Sequence, residues 1–341
     1  MRHGTFFWFF LPTGLAMLLF IAFPILSVVL QSVYTPHEAV LIQVESCGPF
    51  GCVQETKIDH DATQALRDAE PLGRFVGLEI FFDRGHLATE EVSIAWQSKT
   101  SLSNFFSALG NLPFYRAMAF TLTFTFSVTP LLVIFGLMIA LAVNTLSERI
   151  KGLVIFVSLL PMIVTPLIGS LILFWMIDSR GILGNALQWM MSDPALSLKA
   201  STGLTWIMLI VYGVWHAAPF AFVVFYAGLQ TLPMDQLESA RIDGASRWQQ
   251  VRYVIVPHLT PLITFVVLIQ LMDNFRVFEP IVGFNAEAHA TSLSWIIFND
   301  LGGETRQLSA AATSSMLTIF GVAILLSPVL WRTWLDFRGK K

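Results

Sequence analysis

Two short stretches of this chain hold the residue types and spacings that could do chemistry. The first, 231–257, reads TLPMDQLESARIDGASRWQQVRYVIVP and separates two apolar runs. It concentrates Asp235, Glu238, Arg241, Asp243, Arg247 and Arg252 around a glycine. A simple turn between two membrane spans needs only a few residues, so a longer, charged, helix-patterned loop suits contact with another molecule. The second, 270–280, reads QLMDNFRVFEP at the end of an apolar run. Ionisable groups so close to a bilayer are costly when they face lipid. Asp273 and Arg276 are three apart and can pair on one helix face. Asn274, Phe275 and Phe278 add hydrogen-bonding and stacking surface of the kind that holds sugars. This face either lines a translocation cavity or forms an ion pair that orients a helix bundle, and the spacing alone allows both. Elsewhere the seven histidines show no metal-ligand spacing, and no Ser/His/Asp or Cys/His arrangement stands out, so neither a metal site nor a catalytic residue is expected.

The elements that must position these stretches are membrane helices. The 341 residues are 55% hydrophobic and only 13% charged, with a mean hydropathy of +0.67; soluble domains carry about 25% charged residues. Apolar runs at 6–30, 117–145, 152–176, 204–230, 259–283 and 308–331 are each long enough to cross about 30 Å of hydrocarbon as helix. Backbone groups in lipid must be satisfied internally, which favours helices over open strands. The expected fold is an all-α membrane protein of six transmembrane helices, with a periplasmic segment between helices 1 and 2. Pro24, Pro130, Pro161, Pro166 and Pro219 punctuate these spans; kinks of this kind can open internal cavities, although proline is also simply common in membrane helices.

Orientation follows from the basic residues. With the N-terminus inside, the short inner segments hold Arg2, Arg149, Lys151, Arg241, Arg247, Arg252, Arg332, Arg338, Lys340 and Lys341, half of the 20 Lys and Arg. Both termini are therefore expected in the cytoplasm. The first run lacks a small-residue cleavage site after a short apolar core and reads as a retained helix. The expected organisation is 1–30 as cytoplasmic N-terminus and first helix, 31–116 as periplasmic segment, 117–331 as a core of five helices containing a cytoplasmic loop at 231–258, and 332–341 as a cytoplasmic tail. Trp331 and Trp334 with the basic tail read as an interface anchor, and the tail is too short to suggest nucleic-acid binding. The outer segment holds both cysteines, Cys47 and Cys52, around Gly48, Pro49 and Gly51. An oxidising compartment and a tight turn favour a disulfide there, against free thiols in a loop. From Phe75 onward, FVGLEIFF and SLSNFFSALGNLPFYRA suggest amphipathic helices at the outer interface.

Within the 231–258 loop, Pro233 followed by Asp235 marks a helix start. Leu237, Ala240 and Ile242 line up roughly as one face, and Gly244 ends or sharply bends the segment. A second helix follows from Ala245 with Trp248, Val251, Val254 and Ile255 as its apolar stripe, and Pro257 marks where the next span begins. Glu238-Ser239-Ala240, then Gly244, then Val254-x-Val256-Pro257 resembles the cytoplasmic EAA loop of ATP-binding-cassette importer permeases. The flanking Gly228-Leu229-Gln230-Thr231-Leu232-Pro233 and Arg241-Ile242-Asp243-Gly244-Ala245-Ser246 are similar to the carbohydrate-uptake branch, the relatives of the maltose and glycerol-phosphate permeases. Ser239, Val254 and Val256 depart mildly from that pattern. The usual Thr-x-Gly-Gly-Pro after the fifth span is replaced by Val282-Gly283-Phe284-Asn285-Ala286.

The resemblance implies a permease subunit in a bacterial inner membrane. Its ATPase-coupling residues would be Glu238, Ser239, Ala240, Arg241, Asp243, Gly244, Ala245 and Pro257, docked on a separate ATPase subunit dimer. It also places solute contacts on the span carrying Asp273, Asn274, Phe275, Arg276 and Phe278. The further partners implied are a second, related permease chain and a periplasmic solute-binding protein, with the lipid bilayer as solvent. No G-x-x-x-x-G-K-[ST] occurs in the sequence, so ATP and Mg²⁺ would be bound by the partner and no cofactor by this chain. The alternative is a stand-alone secondary carrier or channel using the Asp273/Arg276 face. It leaves the long charged loop unexplained and shows no sign of an inverted repeat.

Overall fold

The computed structural model describes residues 3–48, 51–98, 101–193, 197–302 and 307–338. Five helices are long and apolar enough to cross a membrane: Phe7–Gln31, Pro113–Asn144, Thr202–Leu229, Arg247–Phe275 and Leu308–Leu335. A sixth span is broken into Glu148–Ile163 and Pro166–Met176, with a bend of 95° between the halves. These match the six expected helices in number and order. Two differ from the expected runs, and each for a local reason. Proline disfavours helical geometry in the residue before it, so Thr165 is extended (ψ 146°) ahead of Pro166 and the third run cannot stay straight. The fifth run ends at Phe275, and a separate short helix, Glu279–Gly283, follows.

The chain divides into two compact units, Met1–Tyr115 with Ile296–Phe320 and Arg116–Trp295 with Gly321–Lys341. In the first unit the outer segment is richer in strand than composition suggests. Strands β1 (Tyr34–Thr35), β2 (Leu41–Gly48), β3 (Gly51–Ile58) and β4 (Arg74–Phe75) pair as two antiparallel ribbons, β1 with β4 and β2 with β3. The β2–β3 register sets Cys47 opposite Cys52, but the side chains of both cysteines, and with them the expected disulfide, lie outside the described residues. Asp59 caps the helix His60–Ala69 through the Ala62 amide (3.0 Å). Ser309 Oγ donates to the Tyr34 carbonyl (2.5 Å), and His86 Nε2 bonds the Ala310 carbonyl (3.1 Å), tying the loops of this unit to the start of the last helix. The aromatic-rich stretch after Phe75 forms the short helices Glu79–Phe82, Thr89–Gln97 and Leu102–Gly110.

The second unit holds the main apolar core, in which Phe120, Phe124, Val128, Leu132, Leu209, Phe222, Phe225, Leu259 and Ile281 are essentially inaccessible. Two of its helices approach closely at Gly136, where an added Cβ would lie 2.6 Å from the Ala221 Cβ and 2.9 Å from the Phe222 nitrogen. The fully exposed apolar surface of Phe7–Gln31 and of the outer helix faces suits a lipid solvent, where apolar side chains need no cover. Gly136→Leu forces Pro113–Asn144 and Thr202–Leu229 apart. It is expected to cost about 1–3 kcal/mol, read as a lowered thermal midpoint of the detergent-purified chain, whereas Gly110→Ala, where an added Cβ meets nothing within 4 Å, leaves that midpoint in place.

Candidate functional site

The structure builds two candidate sites, both in the second unit. The first is the charged loop. Its helix Met234–Ile242 begins after Pro233, with Asp235 in the first turn, where a carboxylate favours the positive end of the helix dipole. The helix ends as the sequence indicates. Gly244 adopts φ +79°, its amide bonds the Arg241 carbonyl (3.0 Å), and the Ala245 amide reaches back to the Ala240 carbonyl (2.9 Å). This pair of bonds is the Schellman arrangement, and its left-handed position is strained for residues with a Cβ. One residue later a capping box starts the next helix, with Gln249 Oε1 accepting from the Ser246 amide (2.7 Å) and Ser246 Oγ from the Gln249 amide (3.4 Å).

From Arg247 the chain runs as one continuous helix to Phe275, including a π-turn at Val251–Ile255. Pro257 therefore lies inside this helix rather than at the start of a separate span, directly after the π-turn, and supplies no amide donor to the turn before it. Val251 and Val254 pack toward the core and Ile255 is buried in it, while Trp248 stays 71% exposed, so Trp248 leaves the expected apolar stripe. Leu237 packs inward, Ala240 is half-buried, and Ile242 is 85% exposed. One helical position is about 100° of rotation, so Ile242, two on from Ala240, falls on the opposite side. Glu238, Ser239, Arg241, Asp243 and Gly244 are all exposed. The loop thus presents a rigid ridge of charges and large apolar groups that its own chain does not cover.

The second site is a cavity of about 590 Å³ lined by Phe124, Met162, Tyr212, His216, Phe220, Gln270, Asp273, Asn274, Arg276, Phe278 and Glu279, among others. That volume falls in the range of small-molecule sites, and the mixture of aromatic walls with a few convergent polar groups is their usual composition. The Asp273 carboxylate accepts from Arg276 at 2.9 Å, as the three-residue spacing suggests. Asn274 is buried and donates to Thr129 Oγ1 (3.0 Å), fixing this helix against Pro113–Asn144. Phe278 lines the cavity. Phe275 does not: it is buried, and an added Cβ at Gly321 would lie 2.9 Å from its ring.

Three cavity residues carry more of the geometry than sequence reasoning assigned them. Tyr212 donates its hydroxyl to the Pro166 carbonyl (2.7 Å), and His216 Nε2 donates to the Val164 carbonyl (3.1 Å). The histidine is thus both a cavity wall and a strut of the broken span. Glu279 opens the Glu279–Gly283 helix at the cavity margin. The signal that could have found the first two is their i, i+4 spacing opposite the Pro161/Pro166 run; Glu279 carried no such signal. Outside the spans, Lys199 at 3.0 Å holds the Asp178 carboxyl below its ordinary range. Among the described residues no group of three or more His, Cys, Asp or Glu could hold a metal ion.

The chain thus carries up to six candidate membrane helices, with an exposed, capped charged loop and a cavity with polar lining in its second unit, features suited to a membrane transport protein. The family model for the inner membrane component of binding-protein-dependent transport systems matches residues 105–340, and the chain belongs to that family. It is 25% identical over 248 residues to the probable ABC transporter permease protein y4oQ of Sinorhizobium fredii, covering 71% of this chain and 78% of that one. It is 30% identical over 214 residues to the trehalose transport system permease protein SugA of Mycobacterium tuberculosis (62% and 66%). It is 27% identical over 236 residues to the sn-glycerol-3-phosphate transport system permease protein UgpA of Agrobacterium fabrum (65% and 77%). In fold it is similar to a chain of a bacterial ABC transporter involved in the import of the acidic polysaccharide alginate, with a TM-score of 0.57 and 24% identity over 76% of this chain and 92% of that one.

Tyr212→Phe removes one hydroxyl without changing shape. It is expected to cost about 1 kcal/mol of stability, while the Asn274/Thr129 pair, taken through a double-mutant cycle to alanine, should show a coupling of about 1 kcal/mol. Both are measured by thermal or denaturant unfolding of the purified chain.

Proposed function

We propose that this chain is the transmembrane permease subunit of an ATP-driven importer for a sugar, polyol or related solute. The membrane-permease class rests on the family match and the apolar helices, and the carbohydrate class on relatives such as the trehalose permease. The coupling mechanism rests on one observation. The Met234–Ile242 helix is held rigid by its terminal hydrogen bonds and leaves Glu238, Arg241 and Ile242 uncovered. Exposed large apolar groups beside charges are what a partner's cleft would cover.

In this reading the ridge docks on a separate ATPase subunit, present as a dimer, which binds ATP and Mg²⁺. Glu238 makes a polar contact in its cleft, and Ser239, Ala240, Arg241, Asp243 and Ala245 complete the docking face. Gly244 permits the close turn, and Pro257 sits in the helix that carries movement away. Because that helix is continuous from Arg247 to Phe275, displacement of the docked ridge reaches Asp273 and Asn274 without an intervening hinge. A second, related permease chain completes the pore. A periplasmic binding protein delivers solute, and the cavity alternates its access between the two sides. Both termini lie in the cytoplasm in this reading, an orientation that the distribution of basic residues supports.

Glu238→Arg is the decisive variant. In mild-detergent purification of tagged chain from native membranes, an ATPase and a second permease are expected with the wild type. The ATPase should be lost or weakened by at least about tenfold, about 1.4 kcal/mol, in the variant. A chain that purifies alone under conditions that preserve known complexes would overturn the importer reading.

A further inference from the structure

The cavity residues leave one charge uncompensated, and that charge bears on which solutes can pass. Asp273 and Arg276 neutralise each other at 2.9 Å. His216 donates its Nε2 proton to the Val164 carbonyl, and Asn274 and Gln270 are neutral. Glu279 lines the same cavity and has no ion pair or side-chain hydrogen bond to any described residue. Glu279 is solvent-accessible where it lines the cavity, at the start of a five-residue helix, and neither feature supplies a counter-charge. The remaining walls are aromatic and aliphatic, and low-dielectric walls focus the field of a single charge into the space they enclose.

A second observation, in the other unit, has the same sign. A cleft beside the β1–β4 ribbon is lined by five carboxylates, Glu38, Glu79, Asp83, Glu90 and Glu91, against two guanidinium groups, those of Arg74 and Arg84. On the orientation proposed above, this cleft belongs to the outer segment, so the outer surface also repels anions. Two relatives are named for anionic solutes, so membership of the family does not decide the charge class.

We infer that Glu279 sets the charge class of the solute: the path accepts neutral or amino-bearing sugars and polyols and rejects phosphorylated or uronic ones. This rests on the importer reading, and it adds a specificity-determining residue that the coupling loop does not involve. It requires no catalysis and no bound ion, only that the solute shares the cavity with an unpaired carboxylate.

The sign of the cavity can be measured without knowing the solute. In the full complex, with Cys47 and Cys52 replaced by serine, one cavity cysteine is introduced as Ala217→Cys and, in parallel, as Phe278→Cys. Reaction rates are measured with a cationic and an anionic methanethiosulfonate of equal size, each normalised to a small thiol in solution. The cationic reagent is expected to be favoured by at least about tenfold. Glu279→Gln should bring the preference to within about twofold, and Glu279→Lys should reverse it. A ratio near one in the parent, or a preference that survives Glu279→Gln, overturns the inference. Co-purification of the ATPase with each variant is read separately. Loss of the partner from the unmodified parent speaks against the importer reading, whereas an intact complex with the wrong ratio speaks against Glu279 alone.

Discussion

A helix broken inside a bilayer releases backbone carbonyls that lipid cannot satisfy, and the repair of one such break organises the permease core. Pro166 and the extended Thr165 turn the third span through 95°. Tyr212 and His216, one helical turn apart on Thr202–Leu229, donate to the Pro166 and Val164 carbonyls beside the break. Each such hydrogen bond contributes about 1 kcal/mol, so the two donors brace the bend. The same two side chains form one wall of the cavity. The bend of the third span and the cavity wall thus share these two side chains.

The charged loop solves a different problem, which is stiffness. An exposed short helix in water is marginal on its own. Here a Schellman turn at one end and a capping box immediately after it leave no slack between Met234 and the long helix from Arg247. The apolar side chains of Leu237, Val251, Val254 and Ile255 anchor this elbow to the core, while charges and the exposed Ile242 and Trp248 face outward. The helix that starts after this elbow runs from Arg247 to Phe275 and so reaches the residues beside the cavity.

Much of this architecture could be read from sequence because its determinants are local. The number and order of spans follow from apolar run length. The end of the Met234–Ile242 helix follows from Gly244, because only a residue without a Cβ readily takes φ +79°, and the Asp273/Arg276 pair follows from a three-residue spacing on one helix. The two ribbons of the outer segment were not legible. Leu41, Ile42 and Ile58 remain exposed, so no buried face imposed an alternating pattern on those strands. Trp248 was misplaced for a related reason: helical periodicity says which residues share a face, not how much of that face the core covers.

By itself the sequence determined the class of solvent, the six apolar spans, the capped charged loop and the residue types available to the fifth helix, since each depends on composition or on neighbours within about one turn. Only the tertiary structure decided which of those residues meet. It placed Phe275 in the core and Phe278 in the cavity, three positions apart, because the helix ends between them. It joined His216 and Tyr212 to carbonyls some fifty positions away. It also left Glu279 lining the cavity with no ion pair or side-chain hydrogen bond among the described residues. Contacts of that kind are set by how helices pack across long sequence separations, and no local rule encodes them.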